Sequence, residues 1–300
     1  MEETCCVCGT VQRPLFRYRG FRYWRCPTCG LVSTYPVPDN AAIEEHYAAK
    51  FTAGNYALRR RFEEEYQTVD RQYLSLLQRQ VHVSRPSVLD VGCFTGAFLQ
   101  LLAQTGWDVY GLELQTEAVE VARRRLPGRI FQADLHGDRF PQRKFDVVSL
   151  LGVIEHVTEP VRMLSRCADL LGDDGTLILQ TPDAGSLMAH AMGRYWPPYA
   201  PVEHIHLFSR RALREAAAQA GLRVVRIVRH WKRLPVAYVF EMLQTFGPEF
   251  HRLVKPAFRL MPGVIRRANL PFYIGELILL ATRLPSADQH KPGSQVCHES

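Results

Sequence analysis

Residues 88–99 read VLDVGCFTGAFL, and the fold turns on them. Val88, Leu89 and Val91 surround Asp90 in a short apolar run. Gly92 and Gly96 then bracket a turn, and AFLQLLAQTG (97–106) resumes at helical spacing and closes on Gly106. A strand, a glycine-rich turn and a helix start form half of a βαβ unit. Glycines let the backbone approach a ligand closely, and the helix start offers unpaired N–H groups and the positive end of its dipole. The spacing is not G-x-G-x-x-G, so the dinucleotide fingerprint is missing. Nor is it G-x-x-x-x-G-K-S/T, which excludes a P-loop.

The alternation continues outward. Upstream, Phe62, Tyr66, Val69, Tyr73 and Leu76 fall at steps of four and three, which predicts a helix over 56–81. Downstream, strands are expected at 107–114, 129–135, 145–152, 175–183, 222–231 and 274–283, with helices at 116–126, 159–171 and 209–221. Ser209 is placed to cap the last helix and Gly221 to end it. Continuous apolar strands between amphipathic helices predict an α/β fold with a mostly parallel sheet covered on both faces. The expected layout is a small cysteine module over 1–38, a helical linker or cap over 39–82, a main domain over 83–284 and a disordered tail over 285–300.

Composition narrows the classes. No apolar run reaches the roughly 18 residues needed to span a bilayer. The start, MEETCCVC, has neither the basic nor the apolar part of a secretory signal, so a cytoplasmic protein with reduced cysteines is expected. The net charge of +7 is concentrated in arginine clusters and suits an anionic partner.

Carboxylates recur at the strand ends. Asp90 closes the first strand, Glu113 the second (YGLEL) and Asp134 the third (FQADL), and FDVVSLLGVIEHV and DGTLILQTPD follow. This order resembles the class I S-adenosylmethionine-dependent methyltransferases, although Phe94 stands where their middle glycine would be. The resemblance implies a Rossmann-like, doubly wound seven-stranded sheet whose last strand is antiparallel. It implies S-adenosyl-L-methionine as methyl donor, bound by Asp90, Gly92, Cys93, Phe94, Gly96, Glu113, Leu114, Asp134, Leu135 and Leu151. In it, Glu113 accepts from the ribose hydroxyls and Asp134 pairs with the adenine amino group.

CPTCGLV with YPVP, PVEHIHLFSRRALREAAAQAGL and IGELILLATR also look like zinc-ribbon-bearing methyltransferases of bacterial polysaccharide, lipid and secondary-metabolite clusters. IEHV resembles ubiquinone-type O-methyltransferases, some of which bind a divalent cation through a Glu three residues earlier. Gly152 occupies that position here, which counts against a catalytic metal. QTPD (180–183) is not the N/D-P-P-Y/F motif of enzymes that methylate amino groups of bases. The implied acceptor is a small molecule. An RNA acceptor gripped by the ribbon is the alternative, and a non-catalytic cofactor-binding partner protein is a third reading.

Transfer to a hydroxyl or acidic carbon needs a base, and histidine suits neutral pH. His156, His204 and His206 are the candidates. His156 follows the fourth strand, and the other two lie in the long segment 184–208, placed to act as a lid or binding loop. Glu155 is expected to orient His156 or to cap the helix near Pro160. Among these, His204, His156 and Glu155 form the candidate catalytic set.

Cys5-x-x-Cys8 and Cys26-x-x-Cys29 are separated by seventeen residues. Each pair forms a knuckle with both sulfurs facing one ion, so Cys5, Cys8, Cys26 and Cys29 predict a structural zinc, with free thiols as the alternative. Cys6 is left out of the shell. Between the knuckles, RPLFRYRGFRYWR interleaves arginines with aromatics, which would either stack bases or dock on the main domain. Residues 232–273 predict a helical insertion before the last strand, with basic amphipathic segments suited to a lid, a homodimer interface or peripheral membrane contact.

Overall fold

A seven-stranded sheet organises the molecule. In a computed structural model of the chain, the structure describes residues 3–38, 63–246 and 248–284. Residues 39–62 of the expected linker, including the predicted helix start at Tyr56, and the tail 285–300 lie outside the described residues.

The chain opens with β1 (Arg13–Tyr18), β2 (Phe21–Arg25) and β3 (Val32–Tyr35), then α1 (Glu63–Gln78). The main alternation follows as β4 (Ser87–Val91), α2 (Ala97–Gln104), β5 (Asp108–Glu113), α3 (Thr116–Arg125), β6 (Ile130–Gln132), β7 (Phe145–Leu151), α4 (Pro160–Leu170) and β8 (Leu171–Pro182). Next come α5 (Leu187–Met192), β9 (His206–Leu207), α6 (Arg210–Gln219) and β10 (Leu222–Arg229). The insertion comprises β11 (Lys232–Pro235), α7 (Val236–Phe246), α8 (Pro248–Leu260), α9 (Gly263–Arg267) and β12 (Asn269–Phe272), and β13 (Glu276–Arg283) ends the sheet.

The sheet order is β10-β13-β8-β7-β4-β5-β6. Strands β8 to β6 run parallel, and β13 is antiparallel to both its neighbours. The expected α/β class, seven strands and reversed last strand are all present.

Alternation along the buried strands divides the core into two layers. Leu89, Val148, Leu177, Leu179 and Leu277 face one layer with α4 and α6. Val88, Val147, Ile178, Ile278 and Leu280 face the other with α1, α2, α3 and α7. Each fully buried aliphatic side chain of this kind contributes roughly 1.5–3 kcal/mol of transfer free energy. α6 is capped as its sequence indicates: the Ser209 hydroxyl accepts the Ala212 N–H at 3.1 Å.

Three boundaries differ from the sequence reading. The strand expected over 129–135 is only Ile130–Gln132, because the Asp134 side chain accepts the His136 N–H at 2.7 Å and turns the chain. Segment 184–208 is not simply a loop, since it carries α5 and β9. A short antiparallel pair, β11 with β12, frames the helical insertion.

The cysteine module is not a separate bead. β3 pairs with β9, which completes a four-stranded sheet β1-β2-β3-β9 across the two parts of the chain. Ser209 donates to the Cys29 carbonyl, and Gln219 donates to the Val7 carbonyl. Tyr23 and Phe16 pack edge-on or tilted against Tyr199, with ring centroids 5.0 and 4.9 Å away, and Trp196 joins the same cluster. The hairpin aromatics therefore dock on the Tyr195–Tyr199 run.

Candidate active site

The loop after β4 is shaped by its glycines and by the Glu113 carboxylate. Gly92 has φ +73°, and a Cβ there would lie 2.7 Å from Val153 Cγ2, so only glycine fits. Phe94, at the position of the missing glycine, still adopts the left-handed conformation with φ +49°. That costs a bulky residue roughly 1–2 kcal/mol, and the loop keeps its shape regardless. The strain is held by a hydrogen bond, as the Phe94 N–H donates to Glu113 Oε2 at 2.8 Å. The other carboxylate oxygen accepts the N–H groups of Leu114 and Gln115 at 2.8 and 3.0 Å. Buried Asp90 accepts the Ser149 hydroxyl at 2.6 Å.

A cavity of about 460 Å³ opens above this loop. Asp90, Gly92, Cys93, Phe94 and Leu151 line it, as do Glu155, His156 and His204. Gly96, Glu113, Leu114, Asp134 and Leu135 are not on that lining. Gly96 caps α2 in the left-handed conformation, against Ala122. Glu113 reaches the loop through Phe94, Asp134 caps its turn, and Leu135 is buried in the core. Burial, with Asp90 and Glu113 close by, pushes the Cys93 thiol up, so it stays protonated.

The two histidines share one orientation device. His156 Nδ1 donates to the Glu203 carbonyl at 2.7 Å, and His204 Nδ1 donates to the Pro198 carbonyl at 2.6 Å. A carbonyl can only accept, so each neutral ring carries its proton on Nδ1 and its lone pair on Nε2. The ring centroids are 4.9 Å apart. A Glu155 carboxylate oxygen and one ring nitrogen from each histidine lie within 4.8 Å of one another. Burial pushes the Glu155 carboxyl up, against the pull of His156, and the Thr181 hydroxyl donates to it at 3.0 Å.

Two expectations are corrected here. The N-cap of α4 is Glu159, so Glu155 does not cap that helix, and the His156 ring donates its Nδ1–H to the Glu203 carbonyl. His206 leaves the set of bases: it lies in β9, buried, with Nδ1 3.1 Å from the Ser33 hydroxyl and Nε2 3.6 Å from Cys6 Sγ.

The cysteine knuckles converge as the spacing predicts. Cys5 and Cys29 Sγ are 3.5 Å apart, Cys8 and Cys26 Sγ 3.3 Å, and all four lie within 4.8 Å of one another. Tetrahedral zinc–sulfur bonds of about 2.3 Å would set the sulfurs about 3.8 Å apart. The Gly9 and Gly30 N–H groups close each knuckle on the Cys5 and Cys26 carbonyls at 2.9 and 3.0 Å. The hydrogen bond from Cys29 holds Cys5 down at about 5 and raises Cys29 itself, so the crowded sulfurs already favour a thiolate. These four residues could hold a metal.

A profile of the methyltransferase domain matches residues 61–227, just over half of the chain. The chain belongs to this family. Its methyltransferase domain is 33% identical over 113 residues to the ubiquinone biosynthesis O-methyltransferase of Photorhabdus laumondii, covering 35% of this chain and 47% of that one. It is 35% identical over 101 residues to the enzyme of the same name from Proteus mirabilis, covering 31% and 41%. The chain thus spans about half the length, or less, of these curated relatives. The magnesium protoporphyrin IX methyltransferase of Synechocystis PCC 6803, solved with S-adenosylhomocysteine, superposes with a TM-score of 0.53 at 18% identity, covering 82% of this chain and all of that one. A methyltransferase from Archaeoglobus fulgidus superposes at 0.52 and 16% identity, covering 76% and 99%. At these identities the likeness concerns the fold.

The methyltransferase domain fits S-adenosylmethionine on its own geometry. Asp90, Gly92, Cys93 and Phe94 of the loop line the cavity, and the Glu113 carboxylate stands at the strand end where a ribose would be held.

Several cavity residues carry no local sequence signal. Tyr238 and Met242 of α7 line one side, with Tyr66 and Tyr73 of α1. Lys232 and Glu276, from the two ends of the insertion, meet with Nζ 2.7 Å from Oε2. Burial pushes Glu276 up, but Lys232 and His230 outweigh it and hold the carboxylate down at about 2. A cation just before the insertion and an acid just after it, on strand ends that β11–β12 brings together, was the available clue.

Proposed function

We propose that the protein transfers a methyl group from S-adenosylmethionine to a hydroxyl or acidic carbon of a small, largely apolar acceptor. One observation carries the reading: His156 and His204, each held at Nδ1 by a backbone carbonyl, line the same cavity as the Asp90–Phe94 loop. When bound, the donor supplies a methyl made electrophilic by its sulfonium. Asp90, the Gly92 backbone and Glu113 would hold it from the loop side. The Nε2 lone pair of His204 or His156 would take the acceptor's proton as the bond to the methyl forms. The Nδ1 bonds to the Pro198 and Glu203 carbonyls keep that lone pair on the correct nitrogen and would stabilise the ring once protonated. Aromatic and aliphatic side chains of α1 and α7 would exclude water.

The names of the curated relatives support an oxygen acceptor. The docked rings of Phe16 and Tyr23 support a small molecule over RNA, because those faces are used within the chain. Calorimetry with S-adenosylhomocysteine is expected to give micromolar binding, and no heat at high micromolar ligand with folded protein would sink the reading. Labelled methyl transfer to an extract tests the rest: binding without transfer would leave a cofactor-binding partner protein.

The four-cysteine cluster supports a structural zinc that fixes β1–β3 against β9 and α6. Metal analysis is expected to find one zinc per chain. Stripping it with a chelator should lower the melting temperature by about 10 °C, the scale of a several-kcal/mol loss in a domain this size. It should also weaken acceptor binding, through the docked Tyr199 loop. Zinc-free protein with unchanged melting and activity would refute this role.

A further inference from the structure

α8 presents two faces of different character. Its inner face packs on α7: Phe258 stacks on Phe240 with centroids 3.8 Å apart and planes 2° from parallel, and His251 lies 4.3 Å from the same ring. Leu253 and Leu260, seven residues apart, fall together on the opposite face. They are 74% and 86% exposed, and Val264 at the start of α9 is 72% exposed. Leu253 and Leu260 thus form an open aliphatic stripe along α8, the kind of surface that marks an interaction site. The charge beside them is mostly positive: α8 and α9 hold Arg252, Lys255, Arg259, Arg266 and Arg267 against one carboxylate, Glu249. On α8, Arg252 and Arg259 are exposed and flank the leucine stripe.

We propose that the outward face of α8, with the start of α9, docks on an anionic lipid surface, with Leu253, Leu260 and Val264 in the acyl boundary and Arg252 and Arg259 at the headgroups. Charge complementarity selects this occupant over a second copy of the chain, whose own Arg252 and Arg259 would be brought into apposition. No helix among the described residues is long and apolar enough to cross a membrane, so the contact is lateral. α7 turns Tyr238 and Met242 into the cavity while its Phe240 carries α8, so the docking face lies on the far side of α8 from the cavity wall. The docking does not depend on the methyl-transfer reading, because vesicle binding needs no donor.

The test is co-sedimentation of the full chain with phosphatidylcholine vesicles, with and without phosphatidylglycerol. Binding is expected on the mixed vesicles alone and should fall as salt rises. Replacing Arg252 and Arg259 with Gln should lower partitioning about fivefold per cation. Leu253→Glu with Leu260→Glu should lower it at least about tenfold, since both leucines would lose their burial in lipid. Both substitutions lie on the exposed face, so far-UV melting should stay at the wild-type value; if the glutamate variant misfolds, the glutamine variant decides. Absent binding, or binding equal in wild type and the variant that folds, overturns the proposal. So does a wild-type dimer in sedimentation velocity that the Leu253→Glu, Leu260→Glu variant dissolves while vesicle binding is nil.

Discussion

Glu113→Ala is expected to weaken S-adenosylhomocysteine binding about a hundredfold. The ribose would lose two hydrogen bonds to a charged acceptor, roughly 1.5 kcal/mol each, and 1.4 kcal/mol is tenfold in affinity. The same carboxylate also holds three backbone N–H groups, those of Phe94, Leu114 and Gln115. Without it, the left-handed Phe94 loses the bond from its N–H to Glu113, and the loop is expected to relax away from the shape Gly92 defines. Glu113→Gln separates the two contributions: it keeps one accepting oxygen but turns an amide N–H₂ toward N–H donors, so its loss should be intermediate. Titration calorimetry reads both variants. Wild-type affinity in Glu113→Ala would remove the carboxylate from the cofactor site.

Replacing His156 and His204 together by Ala is expected to lower kcat by about 10²–10⁴, the usual worth of a positioned base. Cofactor affinity should stay close to wild type, because neither ring belongs to the Asp90–Phe94 loop. The single variants assign the base: the one carrying nearly the whole loss is the proton acceptor, and the other positions it or the acceptor. Full activity in both singles would place proton removal elsewhere.

The sheet could be read from sequence because its strands are buried on both faces. Runs such as Val147-Val148 and Leu177-Ile178-Leu179 have no polar interruption, and only a covered parallel sheet calls for that. The cysteine knuckles were equally legible, since their geometry is local. What escaped depends on distant partners. β9 is two residues long and has no periodicity of its own; it is a strand because the edge of β3 lies beside it. His206 looked like a base because it stands two residues from His204, but the pairing of β9 with β3 buries its ring against Ser33 and Cys6 of the ribbon. Glu155 lies beside its sequence neighbour His156, but nothing in its own segment signals that its carboxylate also takes a hydroxyl from β8. The wall formed by α1 and α7 joins segments far apart in the chain, and neither segment alone suggests a cavity.

The pairing of β3 with β9 also sets an order of events during synthesis. Ser33 meets His206 across a separation of 173 residues. At roughly 5–20 residues per second, the ribosome needs about 10–30 s to supply that partner. The knuckles and the β1–β2 hairpin close early, from short-range contacts, while one edge of β3 stays bare until the main domain is almost finished. A bare edge is a template for pairing with other chains. A metal bound in that interval would keep the nascent ribbon folded and its edge short, so zinc supply during translation, rather than in the finished protein, is where the cluster would matter most to yield.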